Sequence, residues 1–111
     1  MKTILVVGRD WKFRALLRAQ LREEGYEALA FETLKDAEAE RAGAAALIFD
    51  TADTNLDDGL PALQRLATQL PVVVVAGADQ RVDVAAVRVL RRPVRIADII
   101  SVMREVTAAR P

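Results

Sequence analysis

Asp50, Arg9 and Arg92 are the charged residues of this sequence best placed for chemistry, because each closes or follows an apolar run. Gly8-Arg9-Asp10 follows TILVV, Asp50 ends AALIFD, and Arg91-Arg92-Pro93 follows VRVL. Open α/β sheets bind their ligands in the crevice outside the carboxyl ends of the strands, so these three groups are expected to converge there. A carboxylate ending a wholly apolar strand is partly desolvated and needs a donor or a cation. Asp50 therefore reads either as a functional acid or as a cap. Arg9 and Arg92 would ordinarily be solvated, yet both strand ends are expected to face Asp50. Asp10, just before WKF, reads as a helix N-cap. Asp57-Asp58-Gly59 could suggest a metal site, but capping of the next helix accounts for it at less cost. Trp11 reads as a packing residue with its indole edge exposed.

Much chemistry is excluded by what the chain lacks. It has no cysteine and no histidine among 111 residues, which removes disulfides, thiolate catalysis, imidazole bases and imidazole metal ligands. Cytoplasm is the compartment expected of such a chain. Sixteen basic and sixteen acidic residues leave no net charge to gather nucleic acid or an anionic membrane. Apolar runs stop at a handful of residues, far short of the ~20 that span a bilayer. The opening MKTILVVG has no signal-peptide pattern. Neither a P-loop nor GxGxxG is present.

The elements that must position these residues follow from hydrophobic periodicity. Thr3 to Val7 is a short β-branched run, suited to a strand buried on both faces. Phe13, Leu16, Leu17 and Leu21 then mark a helix that Gly25 ends. Tyr26 to Phe31 reads as a second strand. Thr33 caps a short helix over Leu34 to Arg41, with Gly43 as its stop. Ala45 to Asp50 is the third strand, followed by a helix near Leu60 to Gln69 with Pro61 in its first turn. PVVVVAG is the fourth strand, and Val87 to Arg91 the fifth. Between Gly77 and Ala86 there is room for only a turn or two of helix. Ile96, Ile99, Ile100, Met103 and Val106 stripe the closing helix, and TAARP could begin a linker. Five strands alternating with helices predict one α/β domain over residues 1 to 111, with right-handed parallel crossovers.

TILVVGRDWKFRALLRAQLREEGYEALAF, LIFD, DDGLPALQRL, PVVVVAG and RRP together resemble a response-regulator receiver domain over nearly the whole chain. The resemblance implies a single doubly wound five-stranded parallel sheet of the flavodoxin/CheY-like kind. Its strand order would be 2-1-3-4-5, with helices on both faces and the helix between the fourth and fifth strands shortened. It places Asp50 at the family's phosphoacceptor aspartate. The family's Mg²⁺-holding acidic pair falls on Gly8 and Arg9, its switch Thr/Ser on Ala76, its Lys on Arg92 and its aromatic switch position on Val89. Asp10 lies next to that altered pair.

These departures carry physical weight. Mg²⁺ wants near-octahedral oxygen ligands, whereas Gly8 has no side chain and Arg9 is a cation. Ala76 removes a hydroxyl donor that phosphoryl transfer would use. No cofactor is expected, and Mg²⁺ binding is expected to be lost or very weak. Arg9, Arg92 or both are expected to pair with Asp50 and hold one conformation, with Arg9 in the place of the metal.

The leading expectation is a degenerate, or pseudo-, receiver without enzymatic activity, acting in two-component-type signalling as a phosphorylation-independent protein–protein interaction module. One alternative keeps Asp50 as a weak phosphoacceptor. Another is a small anion or ligand site at the strand edge. The expected partner is a protein or an appended effector domain, a homodimer being possible, with no nucleic acid and no membrane. The chain could be the N-terminal part of a longer regulator. The resemblance implies a contact surface around the shortened helix before the fifth strand, the fifth strand and the last helix, the first helix beside Trp11 being the alternative.

Overall fold

The computed structural model describes residues 1 to 108. Strand β1 (Thr3–Val7) leads into helix α1 (Trp11–Glu23), then β2 (Glu27–Phe31) and the short α2 (Leu34–Glu38). A 3₁₀ turn at Arg41–Gly43 precedes β3 (Ala46–Asp50) and α3 (Leu56–Ala67). β4 (Val72–Ala76), β5 (Val87–Arg91) and α4 (Ile96–Ala108) complete the order. All neighbouring strands pair in parallel, in the order β2-β1-β3-β4-β5. This is the expected doubly wound sheet.

Strand alternation sends successive side chains to opposite faces and so divides the core in two. Ile4, Val6, Ile48, Val73 and Val75 meet Leu17 and Leu21 of α1 and Ile99 and Met103 of α4. Leu5, Val7, Leu47, Phe49 and Val74 meet Leu34 and Ala37 of α2 and Leu63 and Leu66 of α3. Every residue of β3 and β4 is buried, which explains why both read as unbroken apolar runs. Each fully buried leucine contributes about 1.5–3 kcal/mol relative to exposure.

Local signals set the helix ends. Asp10 Oδ1 accepts from Lys12 N and Phe13 N, as expected of an N-cap. Gly25 takes φ +93, and the bonds Tyr26 N to Leu21 O and Gly25 N to Arg22 O close α1 in a Schellman motif. Thr33 caps α2 through Asp36 N. That helix stops at Glu38, and residues 41 to 43 form the separate 3₁₀ turn. β2 and β3 each begin one residue later than the sequence suggests.

Helix α3 departs further from expectation. It starts at Leu56, capped by Asn55 through Asp57 N at 3.0 Å. Asp57 and Asp58 are thus not caps but first-turn acids, where the helix dipole favours them. Pro61 falls in the second turn rather than the first. Its ring leaves the Asp57 carbonyl without an intrahelical donor.

No helix forms between β4 and β5, so the expected turn or two is a correction. Ten residues, 77 to 86, must retrace the length of a five-residue strand. At 1.5 Å rise per residue a helix would use up the chain, whereas extended backbone covers the distance. Val82 and Val84 of this crossover pack on the α2/α3 side, where a helix would otherwise lie. The expected linker start at TAARP reaches residues 109 to 111, which lie outside the described residues.

Candidate functional site

β1 and β3 pair with Val7 opposite Phe49, so the next residues, Gly8 and Asp50, meet at their carboxyl ends. The approach is close. A Cβ on Gly8 would stand 3.1 Å from Asp50 Cβ and 3.5 Å from its Oδ2. A side chain at Gly8 would push Asp50 aside by a few tenths of an ångström, and the Gly8 carbonyl accepts a hydrogen bond from Arg14 Nη1.

Asp50 is 4% exposed. Its Oδ1 accepts from Arg92 Nη1 at 2.8 Å and from the Ala52 amide at 3.3 Å. Arg92 Nη1 also donates to the Val75 carbonyl at 3.1 Å, and Nη2 reaches Thr51 Oγ1 at 3.4 Å. The following Arg92–Pro93 peptide bond is cis. Burial pushes the Asp50 carboxyl above the ordinary range, outweighing the Ala52 amide and the Arg92 charge. The carboxylates of Asp10 and Asp53 push it the same way. The guanidinium loses this contest because the Arg92 side chain is itself 36% exposed, so solvent screens its charge.

Of the expected site residues, Gly8, Asp50 and Arg92 come together. Arg9 does not: it is exposed and makes no ion pair with Asp50. The reason is strand alternation. Gly8 follows the parity of Val6 toward the α1/α4 side, and Arg9 follows Val7 toward α2 and α3. There it lines a cleft with Leu34 and Phe49. Ala76 is fully buried in the α2/α3-side cluster, and its carbonyl accepts from Arg92 N at 2.8 Å. Val89 packs against that same cluster. Trp11 is 63% exposed, more than an indole edge, with the Lys12 ammonium 5.9 Å from its ring centroid.

Two participants, Thr51 and Gln80, escaped sequence reasoning, whereas Arg91 is at the strand end where it was expected. Thr51 Oγ1 donates to Gln80 Oε1 at 2.6 Å, with the Val75 carbonyl as a second acceptor at 3.1 Å. Gln80 Oε1 also accepts from Gly77 N at 3.0 Å. Arg91 Nη1 donates to the carbonyls of Gly77 and Gln80. Gln80 thus ties the crossover to the ends of β3, β4 and β5. Thr51 was readable as the neighbour of Asp50, but nothing in the sequence marked Gln80.

Chemically, the site is one buried carboxylate facing a guanidinium. That donor set does not fit Mg²⁺, which needs several oxygens and no adjacent cation. Among the described residues no three His, Cys, Asp or Glu side chains cluster to hold a metal.

The architecture is that of response-regulator receiver domains. The receiver domain of the hybrid histidine kinase CckA is similar at TM-score 0.74 and 20% identity, covering 95% of this chain and 98% of that one. The receiver domain of NtrX from Brucella abortus gives 0.78 and 23%, covering 96% and 99%. A longer NtrX chain from the same organism gives 0.77 and 24%, covering 97% of this chain and 26% of that one. At these identities the likeness is one of fold. No family model matches the chain, and no curated protein matches it.

Proposed function

We propose that this chain is a degenerate receiver module that signals by protein–protein contact, without enzymatic activity and without a phosphorylation cycle. The observation that carries the reading is the Arg92 guanidinium on Asp50 Oδ1 at 2.8 Å. It neutralises in place the carboxylate that a phosphoryl group would have to reach. Gly8 and Arg9, where the fold's relatives are expected to hold a metal, supply no acid. Phosphoryl transfer depends on charge neutralisation by a metal and by positioned donors; Gly8 and Arg9 bring no metal ligand, and Arg92 is already engaged by the Asp50 carboxylate.

The contact surface assigned to this role is the outer side of α1. Trp11 and Leu16, which both lie on this helix, are 63% and 62% exposed and offer it apolar contact area. The partner is a protein or an effector domain, in the way the NtrX receiver forms about a quarter of its longer chain; a second copy is the other candidate. No role in nucleic-acid or membrane binding is assigned, and the cytoplasm is the proposed compartment. No described helix is long and apolar enough to cross a membrane.

The rival reading is a slow phosphoacceptor. It rests on Asp50 Oδ2, the oxygen on the Gly8 side, which is not the one that Arg92 engages. Incubation with a small phosphodonor and Mg²⁺, followed by intact-mass measurement, decides between them. An unchanged mass is expected, and a stoichiometric phosphate adduct at Asp50 would overturn the proposal.

A further inference from the structure

The chain leaves β1 toward β2 but leaves β3 toward β4, although β1 and β3 lie side by side. Such a switch point opens a crevice outside the strand ends. A cleft of about 400 Å³ occupies it, a volume within the range of small-molecule sites. The floor is apolar, with Phe49 and Leu34 nearly fully buried and Ala62 beside them. Gly59 packs closely on that floor: a Cβ there would stand 3.2 Å from Leu34 Cδ1 and 3.9 Å from Phe49 Cζ.

The rim is charged and segregated. Arg9 and Lys35 come from the β1 and α2 side, with Glu32 near them. Asp53 and Asp58 come from the β3–α3 side, which brings no cation. None of these five joins an ion pair among the described residues. A simple anion would meet three carboxylates, and a simple cation would meet Arg9 and Lys35. A molecule carrying both charges satisfies both walls.

We propose that this cleft binds a small zwitterion with an apolar body, of the chemistry of an aromatic α-amino acid. Its carboxylate lies against Arg9 and Lys35, since a guanidinium fork matches a carboxylate bidentately. Its ammonium, with three donors, faces Asp53 and Asp58. Its ring lies over Ala62 and the small exposed edges of Phe49 and Leu34, displacing water from the floor. The assignment is independent of whether Asp50 accepts phosphate, because Asp50 does not line the cleft.

Calorimetric titration of the chain with L-phenylalanine, 3-phenylpropanoate and phenethylamine separates the three charge patterns. L-phenylalanine is expected to saturate, about tenfold tighter than either analogue. Arg9→Ala and Asp58→Asn, both at exposed positions, are each expected to weaken it by about tenfold without changing the unfolding temperature by more than a few degrees. Amide shifts at Gly59 and Thr54 should follow the same isotherm. Absence of L-phenylalanine binding, equal binding of 3-phenylpropanoate, or affinity indifferent to both substitutions would overturn the proposal.

Discussion

Arg92 spans two strands through one nitrogen: its Nη1 donates to Asp50 Oδ1 of β3 at 2.8 Å and to the Val75 carbonyl of β4 at 3.1 Å. A single side chain thereby joins the ends of three neighbouring strands, its own following β5 directly. Removing it leaves a carboxylate at 4% exposure without a cation. Exposed pairs contribute up to about 1 kcal/mol and breaking a buried one costs about 3–5 kcal/mol. Since the Arg92 side chain is 36% exposed, Arg92→Ala should cost about 1–3 kcal/mol between those limits. Urea unfolding measures it, and a double-mutant cycle with Asp50→Asn should recover much of the loss.

Stability should fall with rising pH across the Asp50 titration. Burial raises this carboxyl above its ordinary value in the folded chain. Below the ordinary value both states are protonated and nothing is lost. As pH rises, the unfolded chain releases its proton first, so stability declines until the folded carboxyl also ionises. Asp50→Asn should abolish this slope, as unfolding at a series of pH values from about 4 upward would register. A slope of the opposite sign would mean that Arg92, not burial, governs the group.

Glu38 should behave in the contrary sense. Its hydrogen bonds from Arg65, at 2.9 and 3.1 Å, hold its carboxyl below the ordinary range. Its contribution is present above the ordinary value and disappears as pH falls through the lowered one. Glu38→Gln should flatten the acid limb of the stability curve, measured by extending the series below about pH 4.

Gly8→Ala should destabilise the fold by about 1–3 kcal/mol, as overpacking does. The new methyl would stand 3.1 Å from Asp50 Cβ, and that neighbour sits at the end of a strand buried on every residue. Thermal unfolding gives the cost. An unchanged midpoint would show that the two strand ends can separate.

Thr51→Val should loosen the crossover rather than the sheet. It removes the hydroxyl that donates to Gln80 Oε1 at 2.6 Å, at a cost of about 0.5–1.5 kcal/mol. Limited proteolysis should then cut between Gly77 and Ala86 faster than in the parent chain, and hydrogen exchange at Gly77 N should accelerate.

Millimolar Mg²⁺ should leave both the unfolding temperature and Trp11 fluorescence unchanged, because Arg92 and Gly8 replace the oxygens a hard cation requires. A saturable response in either signal would contradict the proposed metal-independent role.

The strands were legible because burial on both faces writes an unbroken apolar run, as in Val72 to Ala76. Asp10, Gly25 and Thr33 were legible as helix punctuation because capping is local. Asn55 was hidden in a polar loop, where several neighbours could cap equally well, so the start of α3 and the place of Pro61 were misread. The extended crossover was misread because helix formation there is decided by the distance to be retraced, not by composition.

The sequence by itself determined the α/β architecture, the two-sided core and the presence of Asp50, Arg9 and Arg92 at strand ends. Which arginine meets the acid was decided only in three dimensions. Arg9 and Arg92 are equally charged, but alternation turns Arg9 toward α2 and α3, while Arg92 leaves β5 on the side of Asp50. Gln80 joins that site only because the crossover returns across the strand ends. Periodicity is a local property and survives in one dimension; the pairing of distant charges depends on which face and which edge each strand end occupies.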